Sequence, residues 1–171
     1  MRIINLIVVH CSATRGDCTL SPEDLDRLHR RRGFNGTGYH YYIRKDGTVH
    51  LTRPIERIGA HAKGFNAHSI GICYEGGLDC RGRPADTRTP EQRAALRLLV
   101  HQLLEKFPDC RVCGHRDLSP DKNGNGEIEP EEWMKACPCF DAEEEFKELV
   151  AEGTVETQSK LNYLKNEKGG K

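Results

Sequence analysis

Three residues that lie far apart in the chain have side chains suited to holding one zinc ion. His10 ends an apolar segment, His115 follows a glycine, and Cys137 stands directly before a proline. Zinc prefers nitrogen and sulfur ligands, and a catalytic site uses three protein ligands and leaves a fourth position for water. A lone histidine is more often structural, so the prediction depends on all three converging. The chemistry expected of them is hydrolysis assisted by a Lewis acid.

The segment between His115 and Cys137 contains a stretch, 121–132, with the spacing of an EF-hand calcium loop. The candidate ligands are Asp121, Asn123, Asn125, the carbonyl group of Glu127, and Glu132, with Gly126 at the turn. No long helix precedes the loop, so the alternative is an acidic surface turn without an ion. We favour calcium, or a similar hard cation, and expect it to order a short helix that begins at Glu132 and carries Lys135.

Chain length, charge balance and the lack of long apolar runs limit the classes of protein to which this chain can belong. A chain of 171 residues suits one domain with a short extension. Lysine plus arginine and aspartate plus glutamate each number 26, so no overall positive field indicates a nucleic acid or an anionic membrane as partner. No apolar run approaches the ~20 residues of a membrane span. The first residues lack the features of a signal peptide, so we expect no export signal.

The eight cysteines are an even number, which is typical of a disulfide framework in exported proteins. Disulfides form in oxidising compartments, and a chain without a signal peptide is not expected to enter one. Reduced thiols are therefore the better prediction. Cys110 and Cys113 form a CxxC pair without a second pair elsewhere. We interpret them as two buried thiols rather than as a zinc knuckle or a redox pair.

Buried strands must position the candidate metal ligands. An apolar, β-branched run over 3–9 predicts a strand buried on both faces that ends at His10. A short strand over 111–113 leads to His115, and a third strand is predicted over 69–74. Ligands at strand ends would project from rigid elements.

An aromatic strand over 38–43 is predicted to turn back at Asp46-Gly47, because this dipeptide is a strong hairpin signal. Strict alternation along that strand would place Tyr39 and Tyr41 on the same face. Alternation alone leaves open whether that face is core or groove.

Capped helix starts occur at Ser21, Thr89 and Asp141. The basic residues 30–32 at the end of the first of these helices are interpreted as a solvated helix end. The order of elements predicts an α/β single domain with a mixed central β-sheet flanked by helices. We place this domain at 1–152 and a polar C-terminal tail at 153–171.

Seven short motifs occur in a specific order along the chain. They are His10-Cys11-Ser12-Ala13-Thr14, Gly38-Tyr39-His40-Tyr41, Asp46-Gly47-Thr48, His61-Ala62-Lys63-Gly64-Phe65-Asn66, Ser69-Ile70-Gly71, Gly114-His115 and Lys135-Ala136-Cys137-Pro138. Over roughly residues 3–147, this ordered set resembles the zinc-dependent N-acetylmuramoyl-L-alanine amidases of the phage lysozyme and peptidoglycan-recognition type, the amidase type 2 family. The 22 positions from His115 to Cys137 exceed the spacing expected of the simplest phage members, and the excess is the loop 121–132.

The resemblance implies zinc bound by His10, His115 and Cys137, with Cys139 as a less favoured sulfur ligand. It implies that Tyr39 and Lys135 are catalytic: Lys135 would stabilise an oxyanion, and Tyr39 would hydrogen-bond the attacking water or the intermediate. It implies that His61 lines the substrate groove, and the loop that ends at Asn66 is predicted to contact substrate. Taken singly, Tyr39 could be a core aromatic, Lys135 an exposed charge and His61 an exposed loop residue.

The resemblance implies peptidoglycan or a muropeptide as substrate, and we expect a monomer. We favour a phage-endolysin-like enzyme, synthesised in the bacterial cytoplasm and acting on the cell wall after release. One alternative is a cytosolic amidase that recycles muropeptides. A non-catalytic peptidoglycan-binding module is disfavoured because Cys137 is present, and a calcium-signalling protein is disfavoured because the EF-hand-like loop is unpaired.

Overall fold

The computed structural model describes residues 2–152, so the predicted tail at 153–171 lies outside the described residues. The strands are β1 Leu6–Cys11, β2 Thr14–Arg15, β3 Tyr41–Ile43, β4 Val49–Leu51, β5 Ser69–Tyr74, β6 Gly77–Leu78 and β7 Arg111–Gly114. The helices are α1 Pro22–Arg31, α2 Pro90–Lys106 and α3 over 142–152, and single 3-10 turns lie at Asn66–His68, Arg116–Leu118 and Pro130–Glu132. None of the described helices has the length and apolar character needed to cross a membrane.

The central sheet has five strands in the order β4-β3-β5-β1-β7. β1 lies between β5 and β7 and is parallel to both, and β3 is parallel to β5. β4 runs antiparallel to β3 because the two form the predicted hairpin. β2 and β6 form a separate two-stranded sheet. The prediction of a mixed α/β sheet is confirmed.

Helices cover both faces of the sheet, and β1 is buried along its whole length. Alternate β1 residues, including Ile7 and Val9, pack with the apolar stripe of α2 and with Phe146 of α3 in the larger core cluster. Leu25 of α1 packs on the opposite face, against Tyr42 and Cys73. His10 alternates with Val9 and therefore lies on the α1 face.

Local capping explains where the helices begin. Ser21 accepts a hydrogen bond from the Asp24 amide at the start of α1. Thr89 and Gln92 form a capping box at the start of α2, and Asp141 accepts a hydrogen bond from the Glu144 amide at the start of α3. The three predicted helix starts are confirmed.

Helix α3 is attached to the domain by a buried arginine. The guanidinium of Arg88, whose side chain is 1% exposed, forms ion pairs of 2.9 Å with Asp86 and 2.7 Å with Glu145 of α3. It also lies over the Phe140 ring, 3.2 Å from the centroid. Removing Arg88 would leave Glu145 without its ion-pair partner and Asp86 with Arg93 alone, so we expect this contact to fix the start of α3.

Two local predictions are wrong. The strand that includes Tyr41 begins only at that residue, so alternation does not extend back to Tyr39; Tyr39 packs with Tyr42 on the α1 face instead. The short helix expected from Glu132 through Lys135 does not form, because the 3-10 turn ends at Glu132 and the following residues are irregular.

The cysteines are unpaired in this structure, as expected of reduced thiols. Cys110 and Cys113 are both buried, and burial raises the pKa of each thiol to about 12. Such thiols are protonated and unreactive at neutral pH. The interpretation of the CxxC pair as two buried thiols is confirmed.

Candidate metal centre

Two parallel strands bring the candidate histidines together. Val9 of β1 is in register with Gly114 of β7, and the amide of His115 donates a hydrogen bond of 3.1 Å to the Val9 carbonyl. The residues that follow therefore emerge at the same edge of the sheet. The rings of His10 and His115 lie 4.7 Å apart between centroids.

Cys137 completes the group from the irregular segment after the acidic loop. Its carbonyl accepts a hydrogen bond of 2.8 Å from the Arg116 amide, and its sulfur accepts one of 3.3 Å from the Cys11 amide. Candidate ligand atoms of His10, His115 and Cys137 all lie within 4.8 Å of one another. Among residues 2–152 no other group of three His, Cys, Asp or Glu side chains has this spacing.

Cys139, the alternative sulfur ligand, lies elsewhere. Its thiol donates to the Gly77 carbonyl at 3.2 Å, and its sulfur is 3.9 Å from that of Cys11. The hydrogen bond with the Cys11 thiol, followed by burial, raises the pKa of Cys139, so the thiolate that a metal requires is disfavoured at this position. The preference for Cys137 over Cys139 agrees with this geometry.

The donor set fits zinc in type and in spacing. A tetrahedral zinc ion with bonds of about 2.0 Å to nitrogen and 2.3 Å to sulfur holds these ligands about 3.5 Å apart. The distance from His10 Nδ1 to Cys137 Sγ is 3.8 Å. Burial, followed by the proximity of His61, His115 and Lys135, holds the pKa of His10 well below its ordinary value, and burial and Lys135 lower the pKa of His115. Both imidazoles are therefore neutral, which is the form that binds metal.

A cavity of about 350 Å³ adjoins this group. Its lining includes His115 and Cys137 together with Tyr39, Lys135 and the arginine at position 32. The remaining lining residues are Cys11, Ser12, Ala13, His61, Gly77, Leu78, Pro84, Ala136 and Cys139. Two cationic side chains and no carboxylate line the space, so it favours a ligand that carries negative charge.

The predicted catalytic residues both reach the cavity. Tyr39 is half-buried, and its ring lies 5.1 Å from that of His10 and 5.4 Å from that of His29. Burial raises the pKa of Tyr39 well above its ordinary value, so its hydroxyl stays protonated. Lys135 is exposed and makes no hydrogen bond or ion pair with any residue from 2 to 152.

The two predicted substrate-contact residues have different surroundings. His61 borders the cavity, but the residue is only 9% exposed and its Nδ1 lies 3.0 Å from His10 Nε2. The side-chain oxygen of Asn66 accepts hydrogen bonds of 2.8 Å and 2.9 Å from the amides of His61 and Ala62. Asn66 therefore holds the loop that carries His61, and substrate contact by either residue stays a prediction.

Sequence reasoning missed Arg32, which was grouped with a solvated helix end. Arg32 follows α1 and borders the cavity, where its guanidinium lies 5.2 Å from the Phe34 ring. The only sequence signal for Arg32 is its position directly after the last residue of α1. That position does not indicate whether the side chain faces solvent or a cavity.

The acidic loop closes through its own backbone hydrogen bonds. The two carboxylate oxygens of Asp121 accept from the amides of Gly124 and Gly126. Those of Glu132 accept from the amides of Lys122, Asn123 and Glu129. Asn123 and Asn125 each accept from the amide two residues later. This geometry accommodates the ion-free alternative, and calcium binding stays a prediction.

Comparison with known proteins identifies the family. Residues 1–139 match the family described as N-acetylmuramoyl-L-alanine amidase. The chain is 36% identical over 144 residues to the endolysin of Enterobacteria phage K11, which covers 83% of this chain and 86% of that protein. It is 36% identical over 146 residues to the endolysin of Escherichia phage T7, covering 84% and 87% of the two chains.

Among solved structures, the N-acetylmuramoyl-L-alanine amidase LysC from Clostridium intestinale URNW is similar, with a TM-score of 0.63 and 30% identity. The match covers 87% of this chain and 84% of that one. Sequence and structure comparisons thus agree over most of both chains. The chain belongs to the N-acetylmuramoyl-L-alanine amidase family and is an amide hydrolase of that family.

Proposed function

We propose that this chain is a zinc-dependent amidase that cleaves the amide between the lactyl group of N-acetylmuramic acid and L-alanine in peptidoglycan. The observation that carries the proposal is the convergence of His10, His115 and Cys137 beside a cavity. Two imidazoles and one thiolate form the kind of ligand set that a catalytic zinc site uses. When bound there, zinc supplies Lewis-acid chemistry, because it polarises a carbonyl group and makes water more acidic.

Tyr39 acts on the reacting amide through its protonated hydroxyl. The raised pKa keeps the proton on the phenol, so the group donates a hydrogen bond to an oxygen at the reacting centre and helps move a proton to the leaving amine. Its half-buried position against the His10 ring restricts the directions in which it can donate.

Lys135 stabilises the negative charge that develops on the amide oxygen. Its ammonium group borders the same cavity and has no carboxylate partner among the described residues. Preorganised positive charge at a developing oxyanion is a large contributor to catalysis of acyl transfer. A Lys135→Ala enzyme that kept full turnover with zinc bound would remove Lys135 from this role.

The charge of the cavity supports an acidic stem peptide as the part of the substrate it accommodates. Arg32 and Lys135 are cationic, and no acidic side chain lines the space. Peptidoglycan stem peptides carry free carboxylates. We assign Arg32 to binding one of them, because a guanidinium pairs with a carboxylate through two parallel hydrogen bonds.

The similarity of this chain to phage endolysins, which extends over most of both chains, supports action on the cell-wall polymer after release from the cytoplasm. Recycling of soluble muropeptides remains the competing function. Comparing rates on purified sacculi and on small anhydro-muropeptides separates the two. A preference of at least tenfold for sacculi, per cleavable bond, is expected, and the reverse preference would favour recycling.

The activity test uses purified sacculi and detects new N-terminal L-alanine on released peptides by mass spectrometry. The parent enzyme is expected to release them, whereas His10→Ala and Cys137→Ser are expected to lose both zinc and release. Cys18→Ser is the matched control, since Cys18 is exposed and lies outside the site. A parent protein that binds sacculi without releasing peptides would indicate a non-catalytic binding module.

We place the amidase domain at 1–152, with the loop 121–132 as an insert and 153–171 as an appended tail, and we expect a monomer. A chain ending at residue 152 should keep its activity on sacculi and its elution volume in size-exclusion chromatography. Loss of folding in this shorter chain would assign the tail to the domain.

We propose further that the loop 121–132 binds calcium and thereby orders the segment bearing Lys135 and Cys137. Its ligand spacing supports this, although its carboxylates already accept backbone hydrogen bonds. In chelator-treated, zinc-reloaded protein, calcium should raise the melting temperature and the activity. If calcium raised neither, the loop would be an ion-free acidic turn.

A further inference from the structure

The imidazole of His61 packs directly against two glycines, Gly59 and Gly71, at positions where any side chain would overlap the ring. A Cβ added at Gly71 in β5 would lie 2.6 Å from the Cγ and Cδ2 atoms of the His61 ring. A Cβ added at Gly59 would lie 2.5 Å from Cδ2 and 2.9 Å from Nε2 of the same ring. Two separate parts of the chain therefore leave room for this one side chain, which a freely moving groove residue would not require.

Both ring nitrogens of His61 have buried partners. Nδ1 lies 3.0 Å from Nε2 of His10, and Nε2 lies 3.3 Å from the hydroxyl oxygen of Ser69. His10 is 1% exposed and Ser69 is fully buried. Solvent has little access to compete for either contact, so the relay His10–His61–Ser69 is fixed by the protein alone.

The hydrogen bond between His10 Nε2 and His61 Nδ1 contains one proton, which is bonded to one of these two nitrogens. Which nitrogen carries it determines whether the Nδ1 atom of His10 has a free lone pair. When the proton is on His10 Nε2, this nitrogen donates to His61 Nδ1, and the lone pair of His10 Nδ1 faces Cys137 Sγ. When the proton is on His61 Nδ1, a neutral His10 carries its own proton on Nδ1, which is then unavailable to a metal. Only the first arrangement suits a metal ligand.

We propose that His61 is a positioning residue for the metal ligand His10, and that it accepts the Nε2 proton of His10 so that Nδ1 is free to bind zinc. Ser69 completes the relay by accepting a hydrogen bond from His61 Nε2. The inference rests on the proposed zinc site and deepens it, because it gives His61 a role through His10 rather than through substrate. Partners of this kind fix the tautomer and orientation of a ligating imidazole.

The test measures zinc affinity by competition with a chromophoric chelator. His61→Leu removes the acceptor at similar size and should weaken zinc binding by roughly 10- to 100-fold. His61→Asn should recover most of that loss, because its side-chain oxygen can occupy the position of Nδ1. His101→Leu is the control, since His101 is exposed on α2 and should leave the affinity unchanged. The melting temperature of each metal-free variant reports whether it is folded.

Nitrogen-15 spectra of the histidine rings in the zinc-loaded parent provide a readout that needs no variant. They should show His10 protonated at Nε2 and His61 unprotonated at Nδ1. A proton on His61 Nδ1, or a folded His61→Leu protein that binds zinc as tightly as the parent, would overturn the inference alone. A parent that binds no zinc would overturn the proposed metal site and this inference with it.

Discussion

Substituting Gly71 by alanine tests whether the position of the His61 ring controls zinc binding at the candidate metal centre. Gly71 lies within β5 and has no positive φ, so alanine is compatible with its backbone. The added Cβ would lie 2.6 Å from His61 Cγ, whereas ordinary contacts begin at 3.4 Å. The ring must therefore move by about 0.8 Å, unless the strand moves instead, and interiors resist such shifts because they are close-packed.

A displacement of this size disrupts the relay. The contacts of His61 with His10 and Ser69 measure 3.0 Å and 3.3 Å, and a hydrogen bond is lost near 3.6 Å. We expect Gly71→Ala to lower the free energy of unfolding by about 1–3 kcal/mol through overpacking. Zinc affinity should fall by about tenfold, because the acceptor for His10 is misplaced.

The assays are urea denaturation of the metal-free protein and chelator competition for zinc. Gly16→Ala is the matched control, because a Cβ there meets only the Leu78 carbonyl oxygen, at 3.8 Å. In the double variant Gly71→Ala with His61→Ala the clash is absent. A double-mutant cycle of the free energies of unfolding should therefore show a favourable coupling of about 1–2 kcal/mol between the two substitutions. A Gly71→Ala protein that matched Gly16→Ala in both assays would show that the position of the His61 ring does not control zinc binding.

Four further predictions follow from the same structure. Lys135→Met should reduce kcat by roughly 100-fold with zinc still bound. Arg32→Ala should raise KM for muropeptides with free stem-peptide carboxylates and change kcat little, since we assign the guanidinium to substrate binding rather than to the reaction. Glu132→Gln should abolish the stabilisation by calcium. Arg88→Met should lower the free energy of unfolding by about 2–3 kcal/mol, because Glu145 loses its ion-pair partner and Asp86 keeps only Arg93.

Each of these has a measurement that decides it. Steady-state kinetics with parallel zinc analysis tests the first two, and an unchanged kcat for Lys135→Met, or a changed kcat with unchanged KM for Arg32→Ala, would contradict them. Thermal melts with and without calcium test Glu132→Gln, and equal calcium stabilisation of parent and variant would contradict the loop assignment. Urea denaturation tests Arg88→Met, with the exposed Arg97→Met on α2 as control.

The strands that carry the candidate metal ligands could be predicted because their patterns are local. A continuous apolar, β-branched run predicts a buried strand, and β1 is buried at every position. The hairpin and the capped helix starts also depend on neighbouring residues. The convergence of His10 and His115 then follows from two parallel strands that end at one edge.

The parts that could not be predicted depend on contacts between distant segments. Tyr39 packs with Tyr42 because the strand begins at Tyr41, and strict alternation assumed a longer strand. The segment carrying Lys135 is irregular, and local propensity did not indicate this. The contact of His61 with His10 joins residues 51 positions apart, so no pattern around either residue reports it.

X-ray absorption at the zinc edge of the purified protein tests whether His10, His115 and Cys137 together hold one zinc ion. We expect one zinc per chain with a single sulfur ligand at about 2.3 Å and the remaining ligands, nitrogen or oxygen, at about 2.0 Å. Zinc with a sulfur ligand should persist in Cys139→Ser, whereas Cys137→Ser is expected to lose the zinc and should hold none that is bound to sulfur. Stoichiometric zinc without sulfur in the parent, sulfur-bound zinc in Cys137→Ser, or a parent without zinc would contradict the proposed site.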